Sequence, residues 1–384
     1  MGVYLDNAAT AKAKNEIDDI IINTMAYAMM EYWMNPSSLY ATRVKEEINK
    51  CRENIAKFIG AKPNEIYFTS GSSESNSWVI KGWDDFNSER KSNIITTPIE
   101  HKSLLKAVEN PNLNSFVFCC NVDEYGMVDL NSLEELISKR KEESNLVSVC
   151  MANNEIGTGQ HVKMISDIAH KYNGILHIDA TQAFGHIPIS VEELGIDMMS
   201  CSGHKISPVL RGIGFLYKRN GIEITPLIHG TQENGLRGGT ENTYGIIGLS
   251  KAIEYCDISR EHIEEVISKR NYFINLLESK FGCILNGHPD YRLPNNINVT
   301  FPQHVTGESL LYTLDLSGIE IATGSACNSS SIEKSHVLKA IGLTDEEAMR
   351  TIRMTISDDI SYDDIDRVIN EIDIAIKLIE HRKE

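Results

Sequence analysis

The sequence lacks the features that mark secreted, membrane and metal-binding proteins. None of its eight cysteines belongs to a C-x-x-C pair, which argues against a disulfide framework or a zinc site. No stretch approaches the ~18 apolar residues that a membrane-spanning helix needs, and the first ten residues lack the basic and apolar segments of a signal peptide. Most cysteines sit among apolar residues, as small core side chains do. We therefore expect a cytoplasmic protein without a metal ion or a membrane partner.

Basic residues are scarce relative to acidic ones. The 384 residues include 54 Asp and Glu against 37 Lys and Arg, which gives a net charge of −17, and no long basic run occurs. This balance argues against direct contact with nucleic acid. With 41% hydrophobic and 24% charged residues, the composition is that of a globular protein with room for one large and one smaller domain.

The segment 174–205 contains two short apolar runs that end in reactive polar groups. Residues 175–178 lead into Asp179, and residues 198–201 lead towards Lys205. Such runs are typical of buried parallel strands, beyond whose carboxyl ends ligands bind. A lysine amine forms a Schiff base with an aldehyde and an aspartate holds a pyridinium nitrogen, as pyridoxal phosphate requires. A buried Asp–Lys ion pair is the alternative that these residues leave open.

Other polar segments also follow predicted strands. One strand runs into a hydroxyl-rich turn with Ser72 and Ser73, where a helix begins; the turn could bind phosphate or serve as a plain N-cap. His101 follows another strand and could cover a planar cofactor, although a lone histidine is more often structural. The strand–helix alternation from about residue 65 to 218 indicates a doubly wound α/β sheet, so these strand ends should share one crevice. Gly174 is expected to end the helix over 161–173.

The C-terminal part predicts a second domain, reached by a long helix over 259–282. Cys327 is flanked by small polar residues, which predicts an exposed, mobile loop with an accessible thiol, although an incidental surface cysteine would look the same. Arg353 lies in an apolar stretch, and a substrate carboxylate is one candidate for its anionic partner. Ser361 and Asp364 predict a capping box at the start of the last helix.

Many short blocks occur in a characteristic order along the chain. They are LDNAAT (5–10), NPSS (35–38), TSGSSESN (69–76), EHK (100–102), NNEIG (153–157), HIDATQ (177–182), SGHK (202–205), GIGFLY (212–217), RGGTEN (237–242), GSAC (324–327) and IRMTIS (352–357). With these blocks the chain resembles the NifS/IscS-type cysteine desulfurases, which are pyridoxal phosphate enzymes with the class-V aminotransferase fold.

The resemblance implies an α/β structure, that of the fold type I pyridoxal phosphate-dependent transferases. A large cofactor-binding domain over 15–258 would hold a mainly parallel seven-stranded sheet between helices. A smaller α+β domain would comprise 1–14 and 259–384 and carry the loop with the catalytic cysteine. The expected assembly is a homodimer.

The resemblance also implies roles for individual residues. The catalytic residues would be Lys205, which binds the cofactor covalently, His101, which stacks on the ring and moves protons, and Cys327, which attacks the substrate sulfur. Asn154 and Arg353 would hold the cysteine substrate, with Arg353 on its carboxylate. The cofactor contacts would come from Ser72, Ser73, Asn154, Asp179, Gln182, Ser202, His204 and Lys205, with Thr240 supplied by the partner subunit.

The implied reaction converts L-cysteine into L-alanine and leaves a persulfide on Cys327. The persulfide would pass to a sulfur-acceptor protein, such as an Fe–S scaffold, for Fe–S cluster, thio-cofactor or tRNA biosynthesis. Selenocysteine lyase, another class-V enzyme such as an aminotransferase, and a non-catalytic binding protein are the alternatives. The chain departs from the family pattern at Tyr40, Arg43 and Ser72–Ser73, and its loop after Lys205 (ISPVLRGIG) is one residue longer than usual.

Overall fold

A computed structural model describes residues 2–302, 305–323, 325–328 and 331–381. The helices are α1 (Asn15–Glu31), α2 (Thr42–Ile59), α3 (Ser72–Phe86), α4 (Lys102–Val108), α5 (Leu130–Ser138), α6 (Val162–Lys171), α7 (Thr243–Ile253), α8 (Arg260–Phe281), α9 (Gly307–Leu316), α10 (His336–Ala340), α11 (Asp345–Met349) and α12 (Tyr362–His381). The strands are β1 (Val3–Tyr4), β2 (Ile66–Thr69), β3 (Ser92–Thr96), β4 (Phe116–Cys119), β5 (Ser144–Cys150), β6 (Ile175–Asp179), β7 (Met198–Ser202), β8 (Gly214–Lys218), β9 (Ile284–Leu285), β10 (Asn296–Thr300), β11 (Ile319–Glu320), β12 (Ala322–Thr323), β13 (Ser325–Asn328), β14 (Ser331–Lys334) and β15 (Thr351–Thr355). Across these described ranges, no helix is long and apolar enough to cross a bilayer.

The largest sheet has seven strands in the order β2-β8-β7-β6-β5-β3-β4. Neighbouring strands are parallel except where β8 pairs with β2 and β7. The prediction of a mainly parallel seven-stranded sheet is confirmed. Because β6 and β7 run parallel, Asp179 at the end of β6 and Ser202 at the end of β7 lie at the same edge.

Helices cover both faces of this sheet. Along a strand, successive side chains point to opposite faces. Leu146 and Met198 accordingly belong to one buried cluster, with Trp78 of α3, whereas Val147 and Met199 belong to another, which also contains residues of α1, α2, α6 and α7. The strands are therefore apolar on both sides, as the continuous apolar runs of the sequence predicted.

A second sheet, with the order β12-β15-β10-β9, lies in the C-terminal part of the chain. Its buried cluster contains residues of α8, α9 and α12 and also Val3 and Leu5 from the N-terminal segment. That segment is held by parallel pairing of β1 with β11 and by a bridge between Asp6 and Thr355. We call residues 3–12 the N-terminal arm. The domain boundaries given above stay predictions.

The structure bears on three local predictions, which concern the start of α12, the end of α6 and the segment around Cys327. The capping box of α12 is confirmed, since the Ser361 amide donates to Asp364 at 3.2 Å and the Asp364 amide donates to Ser361 Oγ at 3.0 Å. The prediction for Gly174 was wrong, because Asn173 adopts the left-handed conformation after α6, with φ of 55°. Asparagine tolerates that conformation better than most residues. Within the segment around Cys327, β13 pairs with β14 as a short hairpin, and the predicted mobility and exposure of this segment stay predictions.

Candidate active site

A cavity of about 360 Å³ opens at the carboxyl edge of the large sheet. This volume lies within the range of small-molecule sites. Most of the predicted site residues line it, namely Ser72, Ser73, His101, Asn154, Asp179, Gln182, His204, Lys205 and Arg353. The structure thus brings together residues from blocks that are up to 281 positions apart in the sequence (72 to 353). The lining also includes Ala8 and Ala9 of the N-terminal arm, and Cys150, which sequence reasoning did not single out.

Asp179 ends β6 and is buried at the floor of the cavity. One carboxylate oxygen accepts a hydrogen bond from Asn76 Nδ2 at 2.7 Å. The other accepts from the Thr181 amide at 3.0 Å and from the Thr181 hydroxyl. These donors fix the orientation of the carboxylate. Asn76 was missed as a site residue, and its position on α3 four residues after Ser72, on the same helix face, is the signal that could have indicated it.

Lys205 lies in a short turn directly after β7. Its Nζ donates to the carbonyl oxygens of Ala8 at 2.7 Å and Ala9 at 2.8 Å. The amine is therefore held by the arm and not by an ion pair with Asp179, which was the alternative interpretation. Burial and, next, the nearby charge of Arg353 lower the pKa of Lys205 to about 8. A lysine with this pKa is a far better nucleophile at neutral pH than an ordinary one.

The two histidines of the cavity have lowered pKa values. His101 caps α4, and its Nδ1 accepts from the Ser103 amide at 3.1 Å, which places the proton of the neutral ring on Nε2. The ring is accessible across the open cavity, but the protein atoms around it desolvate it and lower its pKa. Burial, and then the charge of Lys205, lower the pKa of His204 to about 4. Both imidazoles are consequently neutral at pH 7.

The turn before α3 has the form of an anion site. Gly71 precedes the helix with a φ of 150°, and a Cβ there would lie 3.3 Å from Ser202 Oγ. No side chain caps the helix start, so backbone N–H groups remain available for a ligand. Ser202 is buried beside this turn. Thr240 is exposed and does not line the cavity of its own chain.

Arg353 on β15 is held by two groups that sequence reasoning did not pair with it. Its Nη2 donates to Asp6 Oδ1 at 2.5 Å, and its Nη1 donates to the Asn154 carbonyl oxygen at 3.2 Å. Its Nε is buried and has no hydrogen-bond partner within the described ranges. The anionic partner of Arg353 in this structure is thus a residue of the N-terminal arm.

Cys327 is placed only through its backbone. It pairs with Ile332 across the β13–β14 hairpin, and its side chain lies outside the described part of the structure. The chain after the hairpin is anchored beside the cavity, because Ser335 Oγ donates to Glu155 at 2.5 Å and His336 Nε2 is 2.8 Å from the Glu100 carbonyl oxygen. These contacts fix the base of the hairpin next to Asn154 and His101, but the catalytic role of Cys327 stays a prediction.

A buried acid lies behind His101. Burial raises the pKa of Glu100 to about 8, and Thr97 Oγ1 donates to one of its oxygens at 2.6 Å. Burial and the proximity of Glu100 raise the pKa of the Cys150 thiol well above its usual value. Cys150 is therefore an unreactive thiol, although it lines the cavity.

The sequence as a whole matches the family model described as aminotransferase class-V over residues 3–368. It is 42% identical over 383 residues to cysteine desulfurase IscS of Dictyoglomus turgidum, covering 96% of this chain and 95% of that protein. The chain belongs to the cysteine desulfurases of the class-V aminotransferase family.

Solved structures of this family share the fold. A NifS-like protein superposes with a TM-score of 0.88 at 34% identity, and the match covers 98% of this chain and 100% of that one. A structure described as SspA in complex with cysteine has a TM-score of 0.80 at 34% identity, with 92% and 98% covered. The prediction of a class-V pyridoxal phosphate fold is confirmed.

Members of this family depend on pyridoxal phosphate, and the cavity offers groups that fit it. The amine of Lys205, with its pKa of about 8, is neutral often enough to bond with the aldehyde carbon of the cofactor. Asp179 offers an oriented carboxylate to a ring nitrogen, and the uncapped start of α3 offers N–H groups to a phosphate. The donor set therefore agrees with the cofactor of the family.

Proposed function

We propose that this protein removes sulfur from L-cysteine, releases L-alanine and retains the sulfur as a persulfide on Cys327. The observation that carries the proposal is the combination of Lys205, Asp179 and Arg353 in one cavity. The lysine serves the cofactor, the aspartate orients it, and the arginine supplies a cation for an amino-acid carboxylate. The family relationship described above independently favours cysteine as that amino acid.

Each of the predicted site residues near the cavity has a role in this proposal. Lys205 would hold the cofactor covalently, and Asp179 and Gln182 would hold its ring. Ser72, Ser73, Ser202 and His204 would bind its phosphate, and His101, which carries a proton at Nε2, would stack on its ring and move protons. Arg353 and Asn154 bind the substrate. The chemistry supplied by bound pyridoxal phosphate is that of an electron sink next to the substrate's α carbon.

The sulfur transfer needs a nucleophile, and the proposed one does not belong to the seven-stranded sheet. The thiolate of Cys327 attacks the substrate sulfur, so a sulfur–sulfur bond forms as the carbon–sulfur bond breaks. The electron pair of the broken bond stays with the carbon, which takes up a proton and leaves as the methyl group of alanine. Cys150 does not compete in this step, since its thiol is held neutral by burial.

The proposed assembly is a cytoplasmic homodimer in which Thr240 reaches the phosphate in the partner's cavity. Large apolar side chains exposed on and after α1 support a subunit contact, because such patches mark interaction surfaces. They are Tyr27, Met29, Met30, Trp33, Leu39 and Tyr40. The seven free cysteines of the described residues are consistent with a reducing compartment. A sulfur-acceptor protein, such as an Fe–S scaffold, is the proposed recipient of the persulfide.

The test measures sulfide and alanine from L-cysteine in the presence of a reductant. Wild type should form the two products in equal amounts. Cys327→Ser should retain the bound cofactor and lose at least about a thousandfold in activity, since the nucleophile is removed. Cys119→Ser is the matched control, because Cys119 is an exposed free thiol on β4, and it should behave as wild type.

Equal desulfurase activity in wild type and Cys327→Ser would refute the proposed nucleophile. Amino transfer from the substrate, unaffected by loss of Cys327, would instead favour the aminotransferase alternative. A preference for selenocysteine over cysteine would favour a selenocysteine lyase.

A further inference from the structure

The guanidinium of Arg353 is incompletely satisfied by the protein. Asp6 and the Asn154 carbonyl oxygen accept from Nη2 and Nη1, whereas the buried Nε has no partner within the described ranges. Buried N–H groups without a partner are uncommon in native proteins and call for an explanation. An oxygen atom of a ligand, hydrogen-bonded to Nε, would be the missing partner.

A carboxylate that binds Arg353 from the cavity would place a second negative charge beside Asp6 at the same nitrogen, and the two carboxylates would repel each other. Bidentate binding to arginine uses either Nε with Nη2 or the two Nη atoms. Nη2 belongs to both of these forks, and Asp6 Oδ1 lies 2.5 Å from it. Asp6 contacts the guanidinium through one oxygen only, so a bidentate ligand would make the better contact.

We infer that Asp6 mimics the substrate: its carboxylate holds Arg353 in the free protein and leaves Nη2 when the carboxylate of an amino acid binds. The inference rests on the proposed function, because it takes Arg353 as the substrate anchor. Asp6 thereby tunes the affinity of the site for amino acids and makes the release of product easier.

The contacts of the arm allow the side chain to leave while the backbone stays. The Leu5 carbonyl oxygen accepts from the Thr355 amide at 2.6 Å, and Asn7 Nδ2 donates to the Thr355 carbonyl oxygen at 2.7 Å. The backbone on both sides of Asp6 is thus fixed to β15. The Asp6 side chain is 24% exposed, and within the described ranges its carboxylate is hydrogen-bonded to Arg353 alone. A rotation about its side-chain bonds would return the partly exposed carboxylate to water, and the incoming carboxylate would keep Arg353 paired.

The variant Asp6→Asn tests the inference, since it keeps the shape of the side chain and removes its charge. If Asp6 holds Arg353 about nine-tenths of the time, its removal should tighten the binding of an amino acid about tenfold. Asp6→Ser removes the same charge with a smaller side chain and should give the same direction.

The measurement is the dissociation constant of L-alanine for the holoenzyme, read from the absorbance of the bound cofactor. L-alanine has the carboxylate but no sulfur, so no turnover disturbs the equilibrium. Cysteamine, which lacks the carboxylate, is titrated in parallel and should bind both proteins equally. Asp359→Asn is the matched control variant, because it removes another carboxylate that pairs with the arm, at 3.0 Å from Lys12, and it should leave alanine binding unchanged.

Arg353→Lys separates the inference from the proposed function. If this variant loses affinity for alanine and Asp6→Asn binds it no more tightly than wild type, the role of Asp6 is overturned and the proposed substrate anchor stands. Equal tightening for alanine and cysteamine also overturns it, because the effect then does not depend on the carboxylate. If Arg353→Lys binds alanine as wild type does, the anchor fails and the mimicry fails with it.

Discussion

Lys205 provides the sharpest test of the electrostatics of the cavity. Its amine must be neutral to bond with the aldehyde of pyridoxal phosphate, and burial together with the charge of Arg353 lowers its pKa from 10.5 to about 8. At pH 7 this pKa leaves about 9% of the amine neutral, against about 0.03% for an ordinary lysine, a gain of about 300-fold. The apoprotein should therefore form its bond with the cofactor's aldehyde faster than a simple alkyl amine does, by a comparable factor.

The assay follows the absorbance of apoprotein mixed with pyridoxal phosphate from pH 6 to 10. The charged amine dominates below its pKa, so the rate should rise about tenfold per pH unit below pH 8 and level off above it. An alkyl amine in the same buffers serves as the control and should level off only near pH 10.5. A midpoint near 10 for the protein would refute the reasoning.

The two members of the Arg353–Asp6 ion pair should shift this midpoint in opposite directions. Arg353 lowers the pKa of Lys205 and Asp6 raises it. Arg353→Gln should therefore move the midpoint to higher pH, and Asp6→Asn should move it to lower pH. A shift of the same sign in both variants would mean that general loosening of the arm, and not charge, determines the pKa.

Two further predictions concern stability. Arg52 pairs with Glu233 through two contacts of 2.8 and 2.9 Å, and the Glu233 side chain is only 3% exposed. Arg52→Ala should therefore lower the free energy of unfolding in urea by about 3–5 kcal/mol. The control Lys50→Ala removes an exposed pair and should lower it by less than about 1 kcal/mol, so equal losses would contradict the prediction. His177 is buried between two serine hydroxyls, and burial lowers its pKa to about 4 from 6.5. Because the unfolded chain takes up this proton first, wild type should lose stability as the pH falls from about 6.5 towards 4, and His177→Gln should lose less over the same window; parallel curves for the two proteins would count against it.

The strand ends that carry the site could be predicted from the sequence because each has a local cause. The runs before Asp179 and Lys205 are apolar on both faces, as strands buried between helices must be, and the sheet topology then brings their ends together. The hydroxyl-rich turn with Ser72 was predicted in the same way. Arg353 was singled out locally as a buried arginine that needs an anionic partner, but only the family resemblance placed it in the same cavity and assigned substrate binding to it and to Asn154.

The parts that could not be predicted depend on contacts between distant segments. Asp6 meets Arg353 across 347 positions through a pairing of two-residue strands, which leaves no periodic signal in the sequence. Lys205 is held by the backbone carbonyl oxygens of Ala8 and Ala9. Every residue has such an oxygen, so nothing in the sequence marks these two as partners of Lys205. The choice between Asn173 and Gly174 at the end of α6 depends on packing, since both residues tolerate the left-handed conformation.

The arm accounts for how one arginine can serve two purposes in the same cavity. Arg353 must offer a cation to a substrate carboxylate, and an unpaired cation in a half-buried site is costly. Its charge also helps to keep the pKa of Lys205 near 8, an effect that Asp6 partly offsets. If a substrate carboxylate takes the place of Asp6 at Nη2, one negative charge replaces another beside Arg353. The field at Lys205 then changes little when the substrate binds, so the proposed exchange keeps the electrostatic environment of the lysine similar in the free and the substrate-bound protein.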